Sequence, residues 1–319
     1  MSDVDIAVGI VASRDPDSLE RTLEAVVQQA TPADSIWVTL LEEISEAREC
    51  AERVDEASAA HGDRRSVVAL AAGRSDRSGL FESPAQARNA VIEACSEQVV
   101  VFLDDGATPG AGWLAAIRSS FADPGVDAIA GKIAAPDRKA RPNEPPGGRL
   151  RWTGYLQMNF SSDRPGPSTL ASGRNCAVRR TLALRLQGFD EAFTAGLPFE
   201  DIEFFARIGK AGGRTYYLPT AAVELDREEE IGEGPETQLE NLEAQAARTC
   251  AMAAIFARHE VWALLIMIAS HVVQAVLDVF IGRLPNYAPL RIITEIGEGI
   301  RMGVRPVQSR IRPPKRRRR

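Results

Sequence analysis

Two pairs of neighbouring carboxylates are the residues whose types and spacing best suit chemistry on a phosphorylated substrate. Asp104 and Asp105 follow the apolar run QVVVFL, and paired carboxylates at a strand end suit a hydrated divalent cation and the diphosphate that it bridges. Glu200 and Asp201 begin a helical pattern, FEDIEFFAR, where the helix dipole favours the ionised carboxylates that a general base requires. The plainer alternatives are a polar turn for the first pair and stabilisation of a helix start for the second.

The other reactive side chains exclude several classes of site. The four cysteines are far apart and form no C-x-x-C pair, so neither a zinc ribbon nor a thioredoxin-like site is expected. Only three histidines are present and no serine or cysteine lies in a nucleophile motif, which argues against a triad hydrolase. A P-loop motif is absent, and GATPGAG lacks the glycine spacing of a dinucleotide site.

These carboxylates need a scaffold, and the first 130 residues alternate β-rich runs with helical patterns, as expected for an α/β sheet. Pro16 and Pro84 each follow an N-capping residue and mark two helix starts. A polar helix is predicted around residues 44 to 60. In such sheets ligands bind at the carboxyl ends of the strands, where Asp104 and Asp105 fall. The predicted strands are Ile6 to Ala12, Ser35 to Leu41, Ser66 to Ala71 and Gln98 to Leu103.

The rest of the chain mixes loops with regular elements. Between Pro136 and Pro167 it is rich in Pro, Gly, Arg and Asn, and loops of that length usually cover an active site or are disordered. The elements predicted after this loop are helices near 179–186 and 199–210, a strand at 215–218, an acidic linker at 227–237 and helical sequence to about residue 283.

The net charge of −6 conceals two opposed parts. From Arg283 to Arg319 there are ten arginines and one lysine against two glutamates, a net of +9, which leaves −15 on the preceding 282 residues. With 45% hydrophobic and 26% charged residues, the chain as a whole is neither disordered nor a polytopic membrane protein. The acidic body argues against nucleic acid as a partner. The first five residues carry two aspartates and no cation, so no signal peptide is expected.

Four segments, in this order, make residues 4–226 resemble the family 2 glycosyltransferases, which have the GT-A fold. The segments are VGIVASRDPDSLERTLEAVVQQ, SPAQARNAVIEACSEQVVVFLDDGATPGAGWL, DAIAGKI and SGRNCAVRRTLALRLQGFDEAFTAGLPFEDIEFFARIGKAGGRTYYLP. The resemblance implies an α/β fold with a mixed, Rossmann-like sheet flanked by helices. We expect a GT-A catalytic domain at 1–226, an acidic linker at 227–237, a helical annex at 238–284 and a basic tail at 285–319.

The resemblance further implies transfer of a sugar, with inversion, from a nucleoside diphosphate donor to an acceptor hydroxyl. By position, Asp201 would be the general base, and Glu200 would orient the acceptor or the donor. Asp104 and Asp105 would bind the donor and the metal. The other implied residues are Ser13, Arg14 and Glu42 or Glu43 beside the nucleotide, and Arg88 and Asn89 beside the diphosphate or ribose.

Two departures from the family pattern bear on the metal, expected as Mn²⁺ or Mg²⁺. Gly106 stands where the last carboxylate of a D-x-D motif is usual, and Leu225 where a histidine is common. A further alternative is therefore a catalytically silent nucleotide-sugar-binding or scaffold protein of the same fold. The residues that could compensate are Asp105, with Asp226 or Glu224, as metal ligands, or Arg88 or Arg174 as counter-charges without a metal.

The stretch from Val261 to Gly282 is apolar except for a narrow stripe of His271, Gln274 and Asp278. Burying Asp278 in mid-bilayer is costly, so a helix in the membrane interface, or one packed on the catalytic domain, fits better than a span. The polybasic end favours the membrane, because cations attract anionic headgroups.

We therefore expect an anionic membrane surface as a partner and no nucleic acid. The expected enzyme is cytoplasmic, peripherally associated with the inner face of the cell membrane, and uses a glycan or lipid-linked acceptor in surface polysaccharide or glycolipid synthesis.

Overall fold

The computed structural model of the protein describes residues 4–12, 16–41, 68–70, 81–134, 140–151, 156–194, 197–225, 238–259, 261–285 and 287–311. Three predicted features lie outside these ranges: the helix at 44–60, the acidic linker at 227–237 and the polybasic end beyond residue 311. The candidate donor-site or metal-site residues that also lie outside the described residues are Ser13, Arg14, Glu42, Glu43 and Asp226.

The strands supply a central sheet and a small second sheet. In chain order they are β1 (Ile6–Ala12), β2 (Ser35–Leu40), β3 (Val68–Leu70), β4 (Val99–Asp104), β5 (Ala107–Pro109), β6 (Ala128–Ala134), β7 (Gly147–Leu150), β8 (Leu156–Asn159), β9 (Gly166–Ser168), β10 (Asn175–Arg179) and β11 (Thr215–Leu225).

The central sheet has the order β3-β2-β1-β4-β10-β6-β11-β5, with β9 also paired to β11. β3, β2, β1 and β4 run parallel, whereas β10 is antiparallel to both of its neighbours, β4 and β6. β11 returns parallel to β6, and β7 and β8 form a separate antiparallel pair. The sheet is therefore mixed, as the resemblance implied.

Burial explains why the parallel strands are continuous apolar runs rather than alternating ones. All seven residues of β1 are buried, and so are the first five of β4. A parallel strand covered on both faces needs side chains such as Val and Ile on both sides. β4 then ends at Asp104, which is its first residue to reach the surface.

Eight helices flank the sheets within the described ranges. They are α1 (Pro16–Val27), α2 (Pro84–Ala94), α3 (Trp113–Phe121), α4 (Arg180–Arg185), α5 (Glu200–Lys210), α6 (Gln238–His259), α7 (Val261–Phe280) and α8 (Ala288–Gly303). The predicted start of α2 is confirmed: the Ser83 side chain accepts a hydrogen bond from the Gln86 amide at 3.3 Å, and Pro84 opens the helix.

The annex extends beyond the boundary at residue 284 that we expected. α8 lies in the segment assigned to a basic tail, and its Gly299 and Gly303 pack directly on the backbone of α6. A Cβ at these positions would lie 2.1 Å from the Cys250 carbonyl oxygen and 2.3 Å from that of Ala254. Part of the segment assigned to a tail is thus a closely packed helix, in which the side chains of Arg291 and Arg301 are exposed.

The annex is also part of the main core. Ala251, Ala254 and Ile255 of α6 and Ile311 near the described end pack in the same hydrophobic cluster as the central sheet. Within the described part of the chain, α7 is the one helix long and apolar enough to cross a membrane, judged by length and composition alone.

Candidate active site

Arg88 joins the two carboxylate pairs that the sequence keeps far apart. It lies on α2 and is 2% exposed. Its Nη2 donates to Asp104 Oδ1 at 2.8 Å, and its Nη1 donates to Glu200 Oε1 at 2.5 Å. One guanidinium thus connects the end of β4 to the start of α5, and the donor-side and base-side carboxylates meet in one place.

The surroundings of Arg88 fix its position and keep it charged. Its guanidinium carbon lies 5.6 Å from the centroid of the Phe189 ring, a cation–π contact. Gly173 leaves room for it, because a Cβ there would lie 2.4 Å from an Arg88 nitrogen. Burial opposes the charge, but the carboxylates of Asp104, Glu200 and Asp201 outweigh burial and raise the pKa of Arg88.

Asp201 is held by backbone amides. Its Oδ2 accepts from the Gly173 amide at 2.7 Å, and its Oδ1 accepts from the Ile202 amide at 2.7 Å. Phe199, just before the helix, has a φ of +78°, a left-handed conformation that costs energy for a bulky side chain. Burial raises the pKa of Asp201, although Arg88 and the two amides act against the rise.

Glu200 differs from what the helix dipole alone led us to expect. Burial, followed by the charge of Asp201, raises the pKa of Glu200 to about 7 despite the ion pair with Arg88. Removal from water therefore outweighs the stabilisation that a helix start gives to an ionised carboxylate.

The two strand-end aspartates have different environments. The side chain of Asp104 is 30% exposed, and its Oδ2 lies 4.0 Å from Nε of Arg174. Asp105 is 2% exposed, and its amide donates to the Val11 carbonyl. Asp104 rather than Asp105 is therefore the carboxylate that a donor or a metal can reach, which differs from the assignment of Asp105 as metal ligand.

The two departures from the family pattern lie side by side. Gly106 has a φ of +76°, where an aspartate would be strained, and its amide donates to Thr22 Oγ1 at 3.0 Å. Ala107, the next residue, pairs with the buried Leu225 across β5 and β11. Among the described residues no group of three His, Cys, Asp or Glu side chains could hold a metal ion. Asp104 alone suits a metal held mainly by diphosphate and water oxygens.

Asn89, predicted beside the diphosphate or ribose, is fully buried against protein groups. Its Nδ2 donates to the Phe189 carbonyl at 2.9 Å and to Glu191 Oε1 at 2.8 Å, and its Oδ1 accepts from the Phe189 amide at 2.8 Å. Nδ2 also lies 3.2 Å from the Ser309 hydroxyl oxygen. These partners favour a role in holding the turn at Gly188 and the segment near Ser309 over contact with a ligand.

One buried cluster of charges behind the site has no local sequence signal. Glu203 of α5 is 1% exposed and accepts from Nε of Arg207 at 2.8 Å and from Nη1 of Arg258 at 2.6 Å. Nη1 of Arg258 also donates to Asp190 at 2.8 Å. Burial alone would raise the pKa of Glu203, but Arg207, His259 and Arg258 lower it to about 2. Only the Glu203–Arg207 pair, at i,i+4, was predictable from spacing.

The comparisons with known proteins agree with this fold. A family model described as Glycosyltransferase like family 2 matches residues 4–251, and the chain belongs to that family. The chain is similar to the pre-mycofactocin glycosyltransferases of Mycobacterium tuberculosis strains CDC 1551 / Oshkosh and ATCC 25618 / H37Rv. Each is 33% identical over 159 residues, which is 47% of this chain and 31% of the relative. The matched part thus spans less than a third of these relatives.

Solved structures show the same fold at low sequence identity. Staphylococcus aureus TarS 1–349 has a TM-score of 0.59 at 14% identity, covering 94% of this chain and 81% of that one. GalNAc-T7, solved with UDP, GalNAc and Mn²⁺, has a TM-score of 0.57 at 15% identity, and the match covers 87% of this chain and 58% of GalNAc-T7. The mannosyltransferase PcManGT from Pyrobaculum calidifontis, solved with GDP-Man and Mn²⁺, has a TM-score of 0.53 at 15% identity. The match covers 94% of this chain and 88% of PcManGT. The fold is GT-A, and residues 4–251 form a domain of glycosyltransferase family 2.

Proposed function

We propose that the protein transfers a sugar, with inversion, from a nucleoside diphosphate donor to an acceptor hydroxyl. The observation that carries this proposal is Arg88, which is buried and ion-paired to Asp104 on one side and to Glu200 on the other. A single displacement needs a base on one face of the sugar and a means to stabilise the departing diphosphate on the other. The site has groups suited to both tasks.

In the proposed step, Asp201 accepts the proton of the acceptor hydroxyl as its oxygen bonds to the anomeric carbon. The bond from that carbon to the diphosphate breaks with its electron pair on the leaving oxygen. The Gly173 and Ile202 amides fix the orientation of the Asp201 carboxylate. Glu200, with its pKa of about 7, lies beside it and orients the acceptor or donor.

The diphosphate would lie near Asp104 and Arg174, whose side chains are both partly exposed. Arg174 offers a planar guanidinium that suits phosphate oxygens. A divalent metal would be held by the diphosphate and by Asp104, and when bound it would supply Lewis-acid stabilisation of the leaving group. Calorimetry of UDP- and GDP-sugars with Mn²⁺, with Mg²⁺ and with EDTA tests the requirement for a metal.

The compartment and the acceptor are also proposals. We propose a cytoplasmic enzyme, peripherally associated with the inner face of the cell membrane, that uses a glycan or lipid-linked acceptor in surface polysaccharide or glycolipid synthesis. The apolar helix α7 and the basic residues after it support membrane association. The relatives in Mycobacterium tuberculosis support a different acceptor, pre-mycofactocin, and assays with both acceptor classes separate the two.

The substitution Asp201→Asn tests the base role. It keeps the shape of the side chain but removes the basic oxygen, so we expect transfer to fall by about 10²- to 10⁴-fold. Binding of the nucleotide sugar, first identified by thermal shift against a panel of UDP- and GDP-sugars and then measured by calorimetry, should be retained. Glu298→Gln, a change at an exposed carboxylate on α8, is the matched control.

Retention of full turnover by Asp201→Asn would remove Asp201 from the base role. The silent-binding alternative, which Gly106 and Leu225 favour, predicts donor binding without transfer or donor hydrolysis in the unsubstituted protein, with either metal present. Transfer by the unsubstituted protein would exclude that alternative.

A further inference from the structure

The helix α7 carries apolar side chains on its outer face. Trp262 is 83% exposed and Phe280 is 88% exposed, at opposite ends of the helix. The spacings of three, four and seven residues between the exposed positions place them on one stripe. The members of this stripe, here called the outer face of α7, are Trp262, Leu265, Ile266, Ala269, Val273, Val276, Leu277 and Phe280.

The polar residues of α7 instead face α6. Asp278 is buried, and it accepts hydrogen bonds from Gln274 Nε2 at 3.0 Å and from Gln245 Nε2 of α6 at 3.3 Å. A cavity of about 390 Å³ lies between the two helices and is lined by Gln245, Arg248, Thr249, Ser270, His271 and Gln274. The helix therefore buries an acidic residue against α6, while its exposed stripe is apolar.

The apolar surface continues onto α8 and is bordered by cations. Tyr287, Leu290 and Ile293 are 56%, 70% and 50% exposed, and further along α8 the exposed residues become polar. The side chains of Arg283 and Arg291 are 69% and 51% exposed. A basic segment that includes Lys315 and the last four arginines follows the described end at residue 311.

We propose that the outer face of α7, with Tyr287, Leu290 and Ile293, inserts into the interfacial layer of an anionic phospholipid bilayer, with the α7 axis in the membrane plane. This inference rests on the proposed peripheral membrane location and does not depend on sugar transfer. An in-plane helix buries its apolar side chains near the acyl boundary and leaves cations at the headgroups.

Packing within the annex explains why α7 lies on the membrane rather than across it. Its inner residues Ala263, Met267 and Ala275 form one hydrophobic cluster with residues of α6 and α8. A spanning α7 would lose this cluster and would carry Asp278 into the bilayer without Gln245.

Charge favours a bilayer over a second copy of the chain. Two copies joined through this face would bring the exposed Arg283 and Arg291 side chains of both chains together. Like charges at close range disfavour such a contact, whereas anionic headgroups neutralise them.

The experiment measures binding to vesicles of phosphatidylglycerol and phosphatidylcholine by co-sedimentation, together with quenching of Trp262 fluorescence by brominated lipids. We expect Leu265→Glu with Phe280→Glu to weaken binding by about tenfold or more, because two exposed apolar anchors are lost. Tyr216→Glu, the same kind of change at an exposed aromatic residue of β11, is the control and should bind like the unsubstituted protein.

Deletion of 312–319 should weaken binding to anionic vesicles, while bound protein still shows quenching that is lost in Trp262→Phe. Quenching should be strongest with bromine near the carbonyl end of the acyl chain. Equal binding of the double variant and control, strongest quenching at the bilayer centre, or a dimer that hides Trp262 without lipid would each overturn the proposal. Asp201→Asn should bind vesicles like the unsubstituted protein. The vesicle assay therefore tests membrane binding independently of whether the protein transfers a sugar.

Discussion

Arg88 is the residue that connects the two carboxylate pairs of the candidate site. Its guanidinium forms ion pairs with Asp104 and Glu200. It fits there because Gly173 has no side chain, and the Gly173 amide donates a hydrogen bond to Asp201. The carboxylates remain close together in a buried place, where each disfavours ionisation of the next. Burial, followed by the charge of Asp201, is what raises the pKa of Glu200.

The pH dependence of kcat/KM tests this residue-scale arrangement. Burial raises the pKa of the proposed base Asp201, and it raises that of the neighbouring Glu200 to about 7, so protonation of the base should lower kcat/KM as the pH decreases. Steady-state rates at saturating metal between about pH 5 and pH 9 would show this acid limb, and Glu200→Gln should shift it. A rate that stays constant down to about pH 5 would contradict the raised pKa.

The same shift has a stability cost whose sign follows from linkage. The folded protein binds the Glu200 proton more tightly than the unfolded chain, whose carboxyl has a pKa of 4.5. The contribution of Glu200 to the free energy of unfolding therefore falls as pH rises from 4.5 to about 7. The ion pair with Arg88 offsets part of this loss of stability. The rest of the loss is a cost of keeping two carboxyl groups together in the candidate site.

At the scale of elements, helix α5 is fixed from two sides. Its first residue, Glu200, is held by Arg88 of α2, and Glu203 is held by Arg258 near the end of α6. Glu203 lies one turn after the proposed catalytic pair and is almost fully buried. The annex therefore positions the helix that carries the proposed base, and we expect Arg258 to be a positioning residue rather than a catalytic one.

The substitution Arg258→Met tests this role. It leaves Asp190 and Glu203 buried without one cation, so the free energy of unfolding should fall by about 3 kcal/mol. We expect kcat to fall while the KM for the nucleotide sugar stays nearly unchanged, because the donor side does not touch Arg258. Thermal unfolding measures the change in stability, and steady-state kinetics measure kcat and KM. Arg258→Lys should restore part of kcat. Arg301→Met, at an exposed ion pair, is the control. If the role of Arg258 were purely structural, Arg258→Met would lower the free energy of unfolding and leave kcat per folded molecule unchanged.

Local signals account for the elements and site groups that could be predicted. The apolar runs of β1 and β4, the Ser83 cap and the acidic first turn of α5 are all visible within a few residues. The strand predicted at 215–218 continues to Leu225 past an irregularity after Leu218, because pairing with β6 supplies hydrogen bonds that no local pattern shows.

Contacts between distant parts of the chain account for what could not be predicted. The Gly173–Asp201 hydrogen bond joins residues 28 apart, and the Arg258–Glu203 pair joins residues 55 apart. α8 escaped prediction because its glycines, which usually weaken a helix, are required here for close approach to α6. Spacing within one element carries no signal for such contacts.

At the scale of the whole molecule, the opposed charges of the sequence belong to one body rather than to a domain and a detachable tail. The segment after α8 returns to the catalytic domain, where the Gln308 amide donates to Asp190 and the Arg310 amide donates to Glu191. The side chains of Arg283, Arg291 and Arg301, in contrast, are exposed. The helices α7 and α8, which carry the proposed membrane surface, thus pack on α6, whose Arg258 contacts the candidate-site helix α5.

This integration predicts that residues 1–226 do not fold cooperatively by themselves. Truncation removes the α6 side chains and Ile311 from the main core and leaves Asp190 and Glu203 buried without Arg258. Exposed apolar surface and uncompensated buried carboxylates both destabilise the folded state. Near-ultraviolet circular dichroism and calorimetry should show no cooperative transition for 1–226 and a single transition for the full chain. Deletion of 312–319, beyond Ile311, should leave the Tm unchanged. A truncated chain that melts cooperatively near the Tm of the full protein would show that the annex is a separate unit after all.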